Sequence, residues 1–424
     1  MYIYMINKVS KNKRTKKYRG GSKGKANLSK RIRIPEKKEA LTDKTIYDAI
    51  GNWDKGGDSR RVIEDRYGNI SDWDVSQVTN MKGLFMYKVS FNESLENWDV
   101  SNVENMDNMF FYAESFNQPL EKWNVSNVKS MFNMFCHAKE FNQSINDWDV
   151  SNVENMNSMF NGAKKFNQPL EKWNVSNVKH MNYTFQQAKT FNQPLEKWNV
   201  KNVKYMHSMF SDAEQFNQPI EKWNVSNVKQ MNNMFDGAEK FNQPLEKWNV
   251  SKVEDMSSMF DGAEKFNQPL EKWNVSKVED MSSMFKNAKE FNQPLEKWNV
   301  SNVKDMSSMF ENTKEFNQPI EKWNVSNVET IYNMFENAKG FVIKYYMSFL
   351  NKFDNNKLKS LLNKEQYNNF LKEIAKNKIN KKFEIDHNVD QKGLADKITS
   401  YLGGRRKTKK RNTNKKRNKT RSKK

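Results

Sequence analysis

Between residues 91 and 340 the apolar positions recur with a period of 25. In residues 91–115 they are Phe91, Leu95, Trp98, Val100, Val103, Met106, Met109, Phe110 and Ala113. The FNQPL-type pentapeptide that opens the copy returns at Phe116, Phe141, Phe166, Phe191, Phe216, Phe241, Phe266, Phe291 and Phe316. Two shorter periods lie inside a copy. Phe91 to Val100 has the close spacing of an extended segment and a turn, whereas Val103, Met106, Phe110 and Ala113 follow at intervals of 3, 4 and 3, the face of a helix. Each copy therefore predicts one short strand, a turn and one short helix. The S-x-x-E pairs Ser101/Glu104, Ser151/Glu154, Ser251/Glu254, Ser276/Glu279 and Ser326/Glu329 read as capping boxes at the start of that helix. Gly162, Gly237 and Gly262 fall near its end, where φ > 0 is often needed. Pro119 and its equivalents occupy one column and cannot donate to a parallel ladder, so the strand is short or interrupted there.

A single copy cannot bury nine apolar side chains, and stacking removes the Phe, Trp and Met columns from water together. The expected fold is a repeat solenoid, leucine-rich-repeat-like, of about eleven coils with a helical cap at each end. Trp is followed two residues later by Val in every copy, which points to an inward alternation and a core role for the Trp column. Lys and Glu of LEKW stack like on like along the axis, a repulsion that the neighbouring column of opposite sign can relieve. Ile46, Ile50, Trp53, Val62 and Ile63 mark a helical face before the array; Leu358, Leu361, Leu362, Tyr367, Phe370, Leu371 and Ile374 mark another after it. The boundaries read as a disordered basic tail at 1–38, a helical cap at 39–70, the solenoid at 71–341, a second helical cap at 342–404 and a disordered basic tail at 405–424.

The consensus FNQPLEKWNVSNVKxMxxMFxxAxx, nearly invariant from Phe166 to Lys265, resembles the 25-residue repeat of the BspA-like, mycoplasma-type surface-protein family, a variant of the leucine-rich repeats. The segment TIYDAIGNWDKGGDSRRVIEDRYGNISDWDVS resembles the lead-in of such proteins. This resemblance implies a solenoid used for adhesion or protein binding. The terminal run GGRRKTKKRNTNKKRNKTRSKK resembles basic tails on proteins of large DNA viruses, which implies a virion or the cytoplasm or nucleus of a host cell.

Charge sharpens the division. The net charge is +21, yet residues 1–38 carry fourteen Lys/Arg against one Glu and residues 405–424 carry thirteen and no acid, leaving −5 for the body. Lys13, Arg14, Lys16, Lys17, Arg405, Arg406, Lys407, Lys409, Lys410 and Arg411 are the candidate polyanion contacts, and nucleic acid or an anionic surface is the partner they fit. The only cysteine, Cys136, excludes an internal disulfide framework. An apolar stretch of about six residues at the N-terminus is too short for a secretory signal, and no run approaches a membrane span. No P-loop, dinucleotide fingerprint or nucleophile elbow is present, no two histidines have ligand spacing, and carboxylates recur on nearly every coil. The expectation is a monomeric, non-enzymatic protein without cofactor or metal.

Selectivity is expected in the columns that vary between coils. Most coils place Ser, Asn, Asp, Glu or Lys there, but the earlier ones carry Phe111, Tyr112, Phe132, His137, His180, Tyr183, Tyr205 and His207. On an outer face these would form an aromatic, partner-binding patch; the other arrangement tucks some of them sideways against adjacent coils. The functional reading is a protein-interaction or adhesion scaffold with polyanion-binding tails. The alternative is a nucleic-acid packaging protein that acts through the tails.

Overall fold

The computed structural model describes residues 38–338 and 348–361. The expected basic tails and most of the expected C-terminal cap lie outside the described residues. The described residues between 71 and 338 form a solenoid of stacked 25-residue coils, and ten single-residue parallel bridges run from Asn80↔Asn105 to Asp305↔Thr330.

The coil is built from turns. Neither the expected strand nor the expected helix is present in any coil among the described residues; the described helices are α1 (Ile46–Lys55), α2 (Gly57–Tyr67), a 3₁₀ turn at Ile70–Asp72 and α3 (Asn355–Leu361). The reason lies in the backbone from Val103 to Ala113. Asn108 and Tyr112 have φ of 57°, and their counterparts are left-handed in the other coils, as at Asn133, Ser158, Gly162 and Asn233. A left-handed residue every fourth position prevents a continuous right-handed helix.

The N–H groups are spent accordingly. Met106, Asn108, Phe110 and Tyr112 donate to carbonyls of Ser130, Phe132, Met134 and Cys136 on the following coil at 2.7–3.1 Å. Met109 and Phe111 instead close turns on the carbonyls of Met106 and Asn108. The 3-4-3 apolar spacing is the inner side of successive tight turns, and Val103, Met106, Phe110 and Ala113 are all fully buried.

The capping boxes are likewise replaced. Ser101 donates its N–H to Oδ1 of Asp99, and Ser126 donates to Asn124 in the same way, which makes Asx turns. Glu104 and Glu154 reach across one coil to Lys129 and Lys179, at 2.6 Å each. Gly162, Gly237 and Gly262 do have positive φ, at the second left-handed position of the coil and not at a helix end.

The FNQP stretch is held by side chains. Asn192 Oδ1 accepts the N–H of Asn217 at 2.9 Å and Nε2 of Gln218 at 3.0 Å, and the same ladder joins Asn92 to Asn117 and Asn292 to Asn317. An asparagine ladder needs no backbone donor from proline, so the Pro column is tolerated.

Aromatic stacks fill the core. Phe110 lies 4.0 Å from Phe116 and 5.5 Å from Phe135 between ring centroids, and Trp123 donates Nε1–H to the carbonyl of Leu95 at 2.9 Å. The Trp column is core as expected, with Trp98 to Trp323 buried. The LEKW charges compensate across columns, as in Lys222–Glu196 and Lys272–Glu246.

At the N-terminal side, α1 buries Ile46, Ile50 and Trp53, and α2 buries Ile63 and Tyr67. Val62, expected on this face, is instead 64% exposed. Trp53 meets Trp73 edge to face at 5.6 Å, and Trp73 stacks on Trp98 at 6.2 Å, so the helices continue the Trp column. After the last coil, Phe349 packs on Phe335 at 5.8 Å and on Phe353 at 5.6 Å, and Leu358 and Leu361 of α3 are buried.

Candidate recognition surface

Most coils fill the second left-handed position with residues that suit it, such as Gly162, Asp212, Gly237, Asn287 and Asn312. The first coils do not. Tyr87, Tyr112 and His137 occupy it with φ of 60°, 57° and 58°, a backbone region costing roughly 1–2 kcal/mol for a bulky L-residue such as tyrosine and less for histidine. Their rings line up along the axis: Tyr87–Tyr112 at 5.6 Å and Tyr112–His137 at 4.3 Å. Phe111 adds edge-on contacts to Tyr87 at 5.3 Å and Tyr112 at 4.7 Å. The stack stops at Gly162, where a Cβ would fall inside the imidazole of His137.

Tyr87 is 60% exposed, and Met86 and Val89 beside it are also exposed. These three extend the predicted patch, although the sequence reading passed over them. The signal was available, because Tyr87 lies 25 residues before Tyr112.

The eight predicted aromatic and histidine positions do not form one patch. Phe111, Tyr112 and His137 belong to the group around Tyr87. His180 and Tyr205 stack at 5.8 Å with 5° between their planes, and Tyr183 meets His207 edge to face at 4.3 Å. These four lie on later coils and in the bridge and first-turn columns. Phe132 stands apart: its N–H is held by Asp107 Oδ1 at 3.0 Å, and among the described residues its ring touches no other aromatic ring. The predicted tail contacts Lys13, Arg14, Lys16, Lys17, Arg405, Arg406, Lys407, Lys409, Lys410 and Arg411 lie outside the described residues.

Burial sets the titration of several groups here. It pushes the Cys136 thiol up to about 12, so this sulfur stays protonated at neutral pH. Burial and then Lys139 hold His137 below the usual imidazole range against the pull of Glu114, so its ring acts as a neutral face. Burial, and then Asp261 and Asp212, push the Asp236 carboxyl up to about 7.

The folded Asp236 thus keeps a proton that the unfolded chain releases near 3.8, and stability present below that pH is lost as pH rises toward 7. Asp236→Asn is expected to raise Tm at pH 8 by the equivalent of about 1 kcal/mol, allowing for solvent screening, and to change it little at pH 3.5. Thermal melts of both proteins across pH 3.5–8 check this. An equal shift at both ends would place the effect elsewhere.

Among the described residues no cluster of three His, Cys, Asp or Glu could hold a metal ion, and no helix is long and apolar enough to cross a membrane. Comparison with curated proteins and comparison with solved structures each found no match. The model of the family described as "Mycoplasma protein of unknown function, DUF285" matches three overlapping stretches, 60–170, 141–248 and 235–349. These matches cover more than half of the chain and follow its tandem repeat, and the chain belongs to this mycoplasma-type repeat family of unknown function.

Proposed function

We propose that the chain is a non-enzymatic protein-interaction scaffold of the kind that leucine-rich-repeat-like adhesion modules provide, with its recognition surface on the first coils around Tyr87, Phe111, Tyr112 and His137. The observation that carries this reading is the run of rings at left-handed positions, from exposed Tyr87 to half-buried Tyr112 and His137, where Gly would cost less. Strained backbone with bulky side chains is retained where the side chain does a job that the fold does not need. Rigid aromatic side chains also supply contact area at low entropic cost. The basic termini, with thirteen net positive charges each, would hold the molecule to a polyanion by counterion release. The non-enzymatic part of the reading rests on carboxylates that recur from coil to coil.

The test uses residues that other coils place in the same columns, so the fold is preserved. The full chain and the triple variant Phe111→Asn, Tyr112→Gly, His137→Gly are immobilised, treated with nuclease and washed at high salt. Relief of backbone strain and loss of ring contacts offset each other, so Tm is expected to stay within the equivalent of about 1 kcal/mol. The full chain retains specific proteins that the variant loses. Retention of the same proteins by both would overturn the site, and release of everything by salt or nuclease would assign retention to polyanion contacts and not to this patch.

A further inference from the structure

A second surface, on other coils, combines charge and aromatic rings. One exposed column follows the ladder Glu104, Lys129, Glu154, Lys179, Lys204, Lys229, and each backbone N–H in it donates to the carbonyl of the preceding coil at 2.8–3.1 Å. Neighbours in this column therefore lie directly opposite one another. Three opposite-sign neighbours in this column pair, Glu104–Lys129, Glu154–Lys179 and Glu279–Lys304, each at 2.6 Å. At Lys179 the alternation fails: Lys179, Lys204 and Lys229 stand in succession before the column returns to acid at Glu254. Lys204 and Lys229 are exposed and make no ion pair among the described residues, and the same holds for Lys201 at the edge of the run. Like charges directly opposite destabilise the stack, and nothing in the fold requires them, since Glu serves this column in other coils.

The residues next to these lysines are the parallel pair His180 and Tyr205, with Tyr183 against His207 beyond them. In the column of His180 and Tyr205 the other coils carry Asn, Ser, Asp, Gln or Thr, so no packing need calls for a ring there. Burial lowers His207, which leaves its imidazole neutral near pH 7 and suited to stacking more than to charge pairing. Unneutralised cations spaced one coil apart beside a parallel aromatic pair are the two parts of a single-strand platform: lysines for phosphates, rings for bases.

We infer that the face formed by Lys201, Lys204, Lys229, His180 and Tyr205 binds single-stranded nucleic acid, with the phosphates on the lysines and the bases stacked on the rings. An acidic or phosphorylated peptide would satisfy the lysines but has no use for two parallel rings. This surface shares no residue with the protein-binding patch around Tyr87, so either can fail without the other.

The test measures anisotropy of a labelled oligouridylate, and of an abasic oligomer with the same number of phosphates, against the full chain over a salt series. His180→Asn with Tyr205→Asn keeps every lysine and arginine, including those of the termini, and uses a residue that other coils carry. The expected result is that wild type prefers the oligouridylate, that the double variant loses roughly tenfold in affinity for it, and that binding of the abasic oligomer is unchanged. Lys204→Glu restores the alternation; it is expected to weaken binding of both oligomers and flatten the salt dependence while Tm stays the same or rises. Equal affinity of wild type for the two oligomers, or an unchanged oligouridylate affinity in the aromatic variant, would overturn the proposal.

Discussion

Phe210→Ala is expected to lower stability by about 3–5 kcal/mol, the largest effect of any single replacement considered. Phe210 is fully buried, and its ring lies 4.0 Å from Phe216, 5.6 Å from Phe185, 5.8 Å from Phe235 and 6.2 Å from Trp223. Removing it leaves a cavity shared by three consecutive coils, and a solenoid has no other part of the core to close over the gap. Because each coil touches only its neighbours, the loss should also divide the cooperative unit. Calorimetry is expected to show a broadened or split transition, and hydrogen exchange should quicken first around residues 185–235. A small uniform drop in Tm with a single sharp transition would contradict nearest-neighbour stacking.

Asn192→Ala is expected to cost about 1–3 kcal/mol, although the position is only half-buried and carries no charge. Its Oδ1 is the acceptor for Asn217 N–H and Gln218 Nε2, in a stretch where proline leaves the backbone unable to build a regular ladder. Alanine orphans both donors, whereas Asn192→Asp keeps the acceptor and should cost less. Denaturant titration of the two variants measures the difference. If both lose the same amount, the asparagine ladder is a consequence of stacking and not a cause of it.

The features legible in the sequence are those that burial alone dictates. The 25-residue period, the inward Trp, Phe and Met columns and the compensated Glu and Lys columns follow from spacing, and the coils carry them as read. The backbone between Val103 and Ala113 was not legible from spacing, because tight turns with left-handed residues bury the same 3-4-3 positions as a helix face. Part of the distinguishing signal was present in composition: Asn recurs in the column through Asn108, and Gly, Asn and Asp fill most of the column through Tyr112, residues that tolerate φ > 0 better than others. The S-x-x-E pattern misled for a related reason, since an Asx turn and a helix cap favour the same small polar residues.

For the candidate site, the variable columns were readable but their grouping was not. Phe111, Tyr112 and His137 are brought together because they share or adjoin one left-handed column, whereas His180, Tyr183, Tyr205 and His207 adjoin a different turn on later coils. Tyr87, the most exposed ring of the first group, sits in a partial copy that lacks the Phe-Asn-Gln opening, so the register that links it to Tyr112 was easy to miss.

The left-handed columns shape both the coil and the surface it presents, and Asn233, with φ of 55°, tests them most directly. The measurement is the stability of Asn233→Gly and Asn233→Ala beside the wild type. At a left-handed position glycine is free of strain and alanine is not, so the account predicts Gly equal to or more stable than Asn, and Ala less stable by about 1 kcal/mol. A helix in this stretch would give the reverse order, with Ala favoured over Gly by about 1 kcal/mol, and that result would contradict the turn-built coil.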